Sequence, residues 1–232
     1  MNIVITGASR GIGKAIAEAF ATEGNTLFLC ARNKKALEET ASELMKKNTG
    51  CKAETMVADL SEKKFADAFG DWCLTHAVPD ILVNNTGGYV PGNLLDEAEG
   101  NLENMLNTNL YSAYHLTRKI APEMVKKGSG HIFNICSVAS LAAYEGGGSY
   151  SISKFAMHGL NQNLRHELKT KGIKVTGVYP GAVLTDSWGN YDNSSKRIME
   201  ATDVAAMILA CTKLSAQAVP EEIILRPQLG DL

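Results

Sequence analysis

The sequence predicts a doubly wound α/β fold: a seven-stranded parallel sheet with helices on both faces, formed as one domain over residues 1–232. Three observations predict it. Short runs rich in Val, Ile and Leu recur along the chain, as expected of strands buried on both faces, and long helical patterns separate them. A glycine-rich turn follows the first of these runs and opens a helix. Residues with chemistry to offer, Thr6, Asp59, Asn84, Asn85 and Ser137, fall at strand ends, as does Pro180. In an open sheet with right-handed crossovers the ligand crevice lies at those ends, where the strand order reverses.

Taken in order, Ile3-Val4-Ile5 is a short buried strand, and Ile12, Ile16, Ala19 and Phe20 share one face of a helix expected to stop near Gly24. Thr26 to Cys30 is a second strand, and Lys34 to Lys47 a helix with a polar face. Ala53 to Val57 is a third strand running out at Asp59, after which Ser61 is placed to cap a helix reaching Leu74. Ile81-Leu82-Val83 is a fourth strand, and a loop rich in Gly and Pro runs from Gly87 to Asn93. One long helix is expected from Leu102 to Lys127, a fifth strand from His131 to Cys136, and a helix from Tyr150 to Lys171 closed by Gly172. Lys174 to Tyr179 makes a sixth strand. A loop from Pro180 to about Ser195 precedes a last helix capped by Thr202, and Glu222 to Leu225 makes the seventh strand.

Composition narrows the function. A net charge of −2 and a pI near 6.2 give no basic field for nucleic acid or an anionic membrane, which leaves a small molecule as the expected partner. The five cysteines are widely spaced without a C-x-x-C pair, and the five histidines include no H-E-x-x-H pair, so neither a disulfide framework nor a metal site is expected. No apolar run approaches the ~18 residues of a membrane span. With a strand beginning at residue 2 and no room for a leader peptide before it, a cytoplasmic protein is expected.

Two stretches carry the chemistry. In Thr6-Gly7-Ala8-Ser9-Arg10-Gly11-Ile12-Gly13, Gly7 permits a tight turn, Gly11 a close approach of backbone to a pyrophosphate, and Gly13 close packing of helix on sheet. The spacing is G-x-x-x-G-x-G, which departs from the general G-x-G-x-x-G fingerprint. In Tyr-Ser-Ile-Ser-Lys, Tyr150 and Lys154 share a helix face, so the ammonium would lower a phenol pKa of about 10 toward the range useful for general acid/base work. The same spacing also describes a solvated surface pair. Ser137 precedes the tyrosine at the end of an apolar run.

Together these motifs resemble the short-chain dehydrogenases/reductases over essentially the whole chain. Thr6 to Gly13 is similar to that family's T-G-x-x-x-G-x-G, Asn84-Asn85-Thr86-Gly87 to its N-N-A-G, and Asn109 in Asn-Thr-Asn-Leu to its active-site asparagine. Thr86 departs from the family's usual alanine. Enoyl reductases stretch the Tyr-to-Lys spacing and the extended members space their glycines differently, so neither fits. The resemblance implies catalytic roles for Ser137, Tyr150, Lys154 and Asn109. It further implies a nicotinamide dinucleotide held by Gly7, Ser9, Arg10, Gly11, Ile12 and Gly13 at the turn, and by Arg32, Asp59 and Leu60 on the adenine side. Asn85, Thr86, Gly87, Tyr150 and Lys154 would line its middle, and Pro180, Gly181, Val183 and Thr185 its nicotinamide side.

NADP(H) is expected over NAD(H). The second strand ends at Ala31, where an NAD enzyme of this fold places an acid for the ribose 2′-hydroxyl, and Arg32 and Arg10 are available to flank a 2′-phosphate. The reaction implied is hydride transfer between the nicotinamide and a carbonyl or alcohol. Tyr89, Tyr144, Trp188 and Tyr191 stand in loops near the crevice, and the short span after Gly181 favours a compact carbonyl, as for sepiapterin or 3-oxoacyl-carrier-protein reductases. The alternative is a sensor or scaffold that binds NADP(H) without turnover, though such a module has no need of Ser137, Asn109, Tyr150 and Lys154 at once. Apolar residues spread over more than one face of the helices from Leu102 and from Tyr150 predict a homodimer or homotetramer built on them.

Overall fold

The computed structural model describes residues 1–231. Its elements alternate as expected: β1 (Asn2–Thr6), α1 (Gly11–Phe20), β2 (Thr26–Ala31), α2 (Lys34–Lys47), β3 (Lys52–Val57), α3 (Lys63–His76), β4 (Ile81–Asn84) and α4 (Asn101–Leu106). A π-helical turn (Asn107–Tyr111) joins α4 to α5 (Ser112–Lys127). There follow β5 (Gly130–Ile135), a 3-10 turn (Val138–Ser140), α6 (Gly148–Leu168), β6 (Ile173–Pro180), β7 (Val183–Leu184), β8 (Met199–Glu200), α7 (Ala201–Thr212) and β9 (Glu222–Leu225).

Seven strands form one parallel sheet in the order β3-β2-β1-β4-β5-β6-β9. The chain winds outward from β1 to β3, returns to place β4 against β1, and then winds the other way. The crevice expected from the sequence therefore opens above β1 and β4. Alternation along each strand separates two cores. Ile3 and Ile5 of β1 face one side with Ile16, Phe20, Leu37 and Ile208, under α1, α2 and α7. Val4 faces the other side with Phe69, Leu116 and Ile120, under α3 and α5. All of these side chains are fully buried, each worth roughly 1.5–3 kcal/mol relative to exposure.

On β6, the ring of Tyr179 folds back along the strand and its hydroxyl accepts or donates a hydrogen bond with His158 Nδ1 of α6 at 2.7 Å. Gly177 makes this possible: a Cβ there would lie 2.5 Å from the Tyr179 hydroxyl and 2.8 Å from the Asn161 amide.

Several boundaries differ from the sequence reading, each for a local reason. Helix α1 stops at Phe20 and not near Gly24, because the Asn25 amide donates to the Phe20 carbonyl at 2.9 Å and ends the ladder. Ser61 does not cap α3. Its hydroxyl donates to Asp59 Oδ1 at 2.7 Å, and Glu62 takes the N-cap position. Thr202 lies inside α7, whose start is closed by Glu200 and Asp203, the Asp203 carboxylate accepting the Glu200 N–H at 2.9 Å. The helix expected to run unbroken from Leu102 to Lys127 is interrupted by the π turn. Helix α6 begins two residues before Tyr150 and passes into a 3-10 turn (Lys169–Lys171) before Gly172, at φ +77°. The span after Pro180 is not all loop: β7 and β8 pair in it as a small parallel ladder.

Candidate active site

The turn between β1 and α1 is a cradle shaped by missing side chains. Gly7 and Gly11 have φ of +64° and +54°, a region costly for residues with a Cβ. A Cβ on Gly13 would lie 2.3 Å from the Gly7 carbonyl and 2.5 Å from the Asn85 amide, so only glycine lets α1 pack this close. Helix α1 starts without a side-chain cap, which leaves its first backbone N–H groups pointing into the cradle. The far wall is Thr185, whose methyl would lie 3.2 Å from a Cβ on Gly11. Such a cradle fits a pyrophosphate.

Thr6 ties this turn to the end of β4. Its hydroxyl accepts the N–H groups of Asn85 and Thr86, both at 2.9 Å, and donates to the Val83 carbonyl at 3.3 Å. The Asn85 amide in turn donates to the carbonyls of Thr6 and Gly7 at 2.8 and 3.2 Å. Asn85 thereby holds the glycine turn in shape. Ser9 and Ile12 lie in the same turn, Ile12 against the core, and the Ser9 carbonyl accepts the Thr40 hydroxyl at 3.4 Å.

On the adenine side, Ala31 is buried at the end of β2 and offers no acceptor. Arg32 is exposed and 3.8 Å from the Asp59 carboxylate, beside buried Leu60, while exposed Arg10 is 3.3 Å from Asp186 across the mouth of the cradle. Surface pairs of this kind contribute ~0–1 kcal/mol, so either guanidinium is free to change partners.

Beyond the cradle, the end of β5, helix α6 and the π turn bring Ser137, Tyr150, Lys154 and Asn109 together. The Ser137 hydroxyl accepts the Ala139 N–H at 3.1 Å, capping the 3-10 turn that follows β5, and lies against the Tyr150 phenol. Lys154 is buried, its Nζ donating to the Ile135 carbonyl at 3.0 Å and standing 5.9 Å from the centre of the Tyr150 ring. Asn109 sits in the π turn, 1% exposed. Its Oδ1 accepts the Gly88 N–H at 2.7 Å, and its amide donates to the Gly88 carbonyl at 3.0 Å and the Ser153 hydroxyl at 2.9 Å. A π turn adds a residue to the helix and re-aims one side chain, a device frequent at functional positions. Here it aims Asn109 at the loop after β4. Gly87 lies between Asn109 and Lys154, and Pro180, Gly181 and Val183 lead from β6 to Thr185.

The electrostatics correct one expectation. The Tyr150 pKa is not lowered in this structure: burial raises it, with the Ser137 hydroxyl opposing, and burial depresses the pKa of Lys154. The phenol thus carries its proton at neutral pH. Two features of the site had no motif to reveal them. Ser153, inside the Tyr-to-Lys spacer, accepts the Asn109 amide and donates to the Tyr150 carbonyl at 2.7 Å. Glu97 accepts the Ser149 hydroxyl directly before Tyr150. Tyr89 and Tyr144 do stand at the mouth, both half-exposed, with their hydroxyls close to each other.

Known proteins with this organisation are numerous. The chain is 36% identical to a sepiapterin reductase of Chlorobaculum tepidum, over 99% of this chain and 97% of that protein. Its fold superposes on an alcohol dehydrogenase of the archaeon Thermococcus sibiricus, complexed with 5-hydroxy-NADP, with a TM-score of 0.91 at 27% identity, over 100% and 98% of the two chains. A short-chain dehydrogenase of Sphingobium yanoikuyae in complex with NADPH gives a TM-score of 0.85 at 31% identity, over 97% of this chain and 87% of that one. The short chain dehydrogenase family model matches residues 1–196, from the glycine turn through the Tyr-x-x-x-Lys helix and beyond, and the chain belongs to that family.

Proposed function

We propose that this chain is an NADP(H)-dependent oxidoreductase that reduces a carbonyl, or oxidises the corresponding alcohol, with Tyr150 as the general acid/base. The observation that carries the reading is the meeting of Ser137, Tyr150 and Lys154 beside Asn109, next to a cradle that fits a pyrophosphate. Solved relatives in complex with NADP and NADPH support the choice of cofactor, as do Arg10, Arg32 and the uncharged end of β2. NADPH, when bound, supplies the hydride.

The chain's own groups do the rest. A protonated Tyr150 donates its proton to the substrate oxygen as negative charge develops there. The Ser137 hydroxyl polarises and holds that oxygen. Lys154, anchored by the Ile135 carbonyl, favours the phenolate left after transfer, and its ammonium faces the loop at Gly87, where a ribose would lie. Asn109 fixes that loop through Gly88.

The site is read as part of one nucleotide-binding domain over residues 1–232. The four loop aromatics and the likeness to a sepiapterin reductase support a compact carbonyl substrate. Five buried, unpaired cysteines support a reducing, cytoplasmic setting, and no helix among the described residues is long and apolar enough to cross a membrane. Half-exposed Tyr111, Ile152 and Phe155 on the π turn and α6 support a homodimer or homotetramer, for which light scattering should give a mass at least twice that of one chain. The direct test is a screen of carbonyl compounds with NADPH, alongside a titration of NADPH by fluorescence. Binding without any turnover would replace the enzyme by a sensor.

A further inference from the structure

Helix α6, which carries Tyr150 and Lys154, has no side-chain cap of its own. Gly147 occupies its N-cap position, and Gly148 enters the helix at φ +37°. The cap comes from the loop between β4 and α4. The Glu97 carboxylate accepts the Ser149 hydroxyl on Oε1, and on Oε2 it accepts the Ser149 N–H at 3.3 Å and the Asn101 amide at 2.7 Å. An anion at a helix N-terminus is favoured by the helix dipole. The loop is drawn close around this point: the Gly92 N–H donates to the Gly146 carbonyl at 3.0 Å, and a Cβ on Gly148 would lie 2.4 Å from the Gly92 carbonyl.

The same loop carries Tyr89, whose ring packs on Tyr150. Burial of apolar side chains does not hold the loop down, since Val90 is 42%, Leu94 60% and Leu95 96% exposed. Polar ties must do it, and Glu97 makes three of them. We propose that Glu97 is a positioning residue: it fastens the segment 88–98 to the start of α6 and so fixes Tyr89 and Tyr150 relative to each other and to a carbonyl substrate. The inference rests on the reading of Tyr150 as the acid/base.

The test uses the full chain with Glu97→Ala, Ser149→Ala and the double variant. Hydrogen exchange should speed up by about tenfold in segment 88–98 of Glu97→Ala, with protection of the sheet unchanged. NADPH affinity should stay within about twofold, while KM for a carbonyl rises about tenfold and kcat changes by less than about threefold. The double variant should be no worse than Glu97→Ala, because the Ser149 hydroxyl acts through its bond to Glu97, which the single variant has already removed. Unchanged exchange in segment 88–98 overturns the proposal, and so does a loss of NADPH affinity that accompanies global loss of protection. Turnover by the wild type tests the role of Tyr150 separately, and the exchange data decide the tie whether or not a substrate is found.

Discussion

The rings of Tyr89 and Tyr150 meet edge to face, their centroids 4.9 Å apart and their planes at 85°. The phenol assigned to proton transfer is therefore walled on one side by a residue from a different loop. An aromatic pair of this geometry contributes about 0.5–1.5 kcal/mol beyond burial. Tyr89→Ala should lower kcat/KM by up to about tenfold, whereas Tyr89→Phe, which keeps the ring and loses only the hydroxyl close to that of Tyr144, should stay near wild type. Equal losses in the two variants would show that the hydroxyl, and not the ring, matters.

Tyr150→Phe should abolish turnover while leaving NADPH affinity nearly intact, because the lost hydroxyl serves the reacting oxygen. Lys154→Ala should weaken both kcat and cofactor binding, since the ammonium faces the loop expected to meet the ribose. Ser137→Ala should reduce kcat by about 10²-fold if its hydrogen bond strengthens in the transition state. Single-turnover reduction with fluorescence titration separates the three. Wild-type rates in Tyr150→Phe from pH 6 to 9 would place the acid elsewhere.

NADPH should bind more tightly than NADH. Arg32 and Arg10 are exposed and held only by weak surface pairs with Asp59 and Asp186, so both can turn to a 2′-phosphate. Arg32→Asp should narrow or reverse the preference. Dissociation constants for both cofactors at one salt concentration decide this, and a wild-type preference for NADH would refute it.

A pH dependence of stability should trace to His131. Its Nε2 lies 2.7 Å from the Thr176 hydroxyl, whose proton goes to the Pro220 carbonyl at 2.6 Å, so the imidazole donates from Nε2. Burial depresses its pKa from 6.5 to about 3. Between those values the unfolded chain takes up a proton that the folded chain refuses. Stability should thus fall as pH drops below 6.5 and level off near 3, by about 1.4 kcal/mol per pH unit from this group. Urea unfolding at pH 6.5 and 5.0 should show His131→Gln losing about 1.6 kcal/mol less than wild type over that interval. Parallel losses in both proteins would assign the acid sensitivity to other groups.

The centre of the sheet was legible because β1 and β4 are buried on both faces, so they announce themselves as apolar runs whatever surrounds them. The glycine turn and the Tyr-to-Lys helix were legible because their chemistry allows few substitutes. Two helix caps were not. Ser61 and Thr202 have the right side chains for caps, yet a nearby Asp59 captures the first, and Glu200 with Asp203 outcompetes the second. The π turn is invisible to a helical periodicity, since one added residue leaves the apolar pattern readable on both sides. Glu97 left no trace because its partner Ser149 is distant in the chain, and a carboxylate in a polar loop looks solvated until the loop closes on α6. The pKa of Tyr150 was misread for a related reason: sequence gives the neighbour on the next turn but not the depth at which both are buried.

Gly177, Tyr179 and Asn161 share one volume, since the place a Cβ would take on the first is filled by the hydroxyl and amide of the other two. These positions cannot drift independently. A side chain gained at position 177 demands a smaller residue at 179, and that exchange removes the partner of His158 on the helix that carries Lys154. Variation in this part of the sheet should therefore arrive as a package, and an engineer who recolours the back of β6 one residue at a time will find the intermediates less stable than either end.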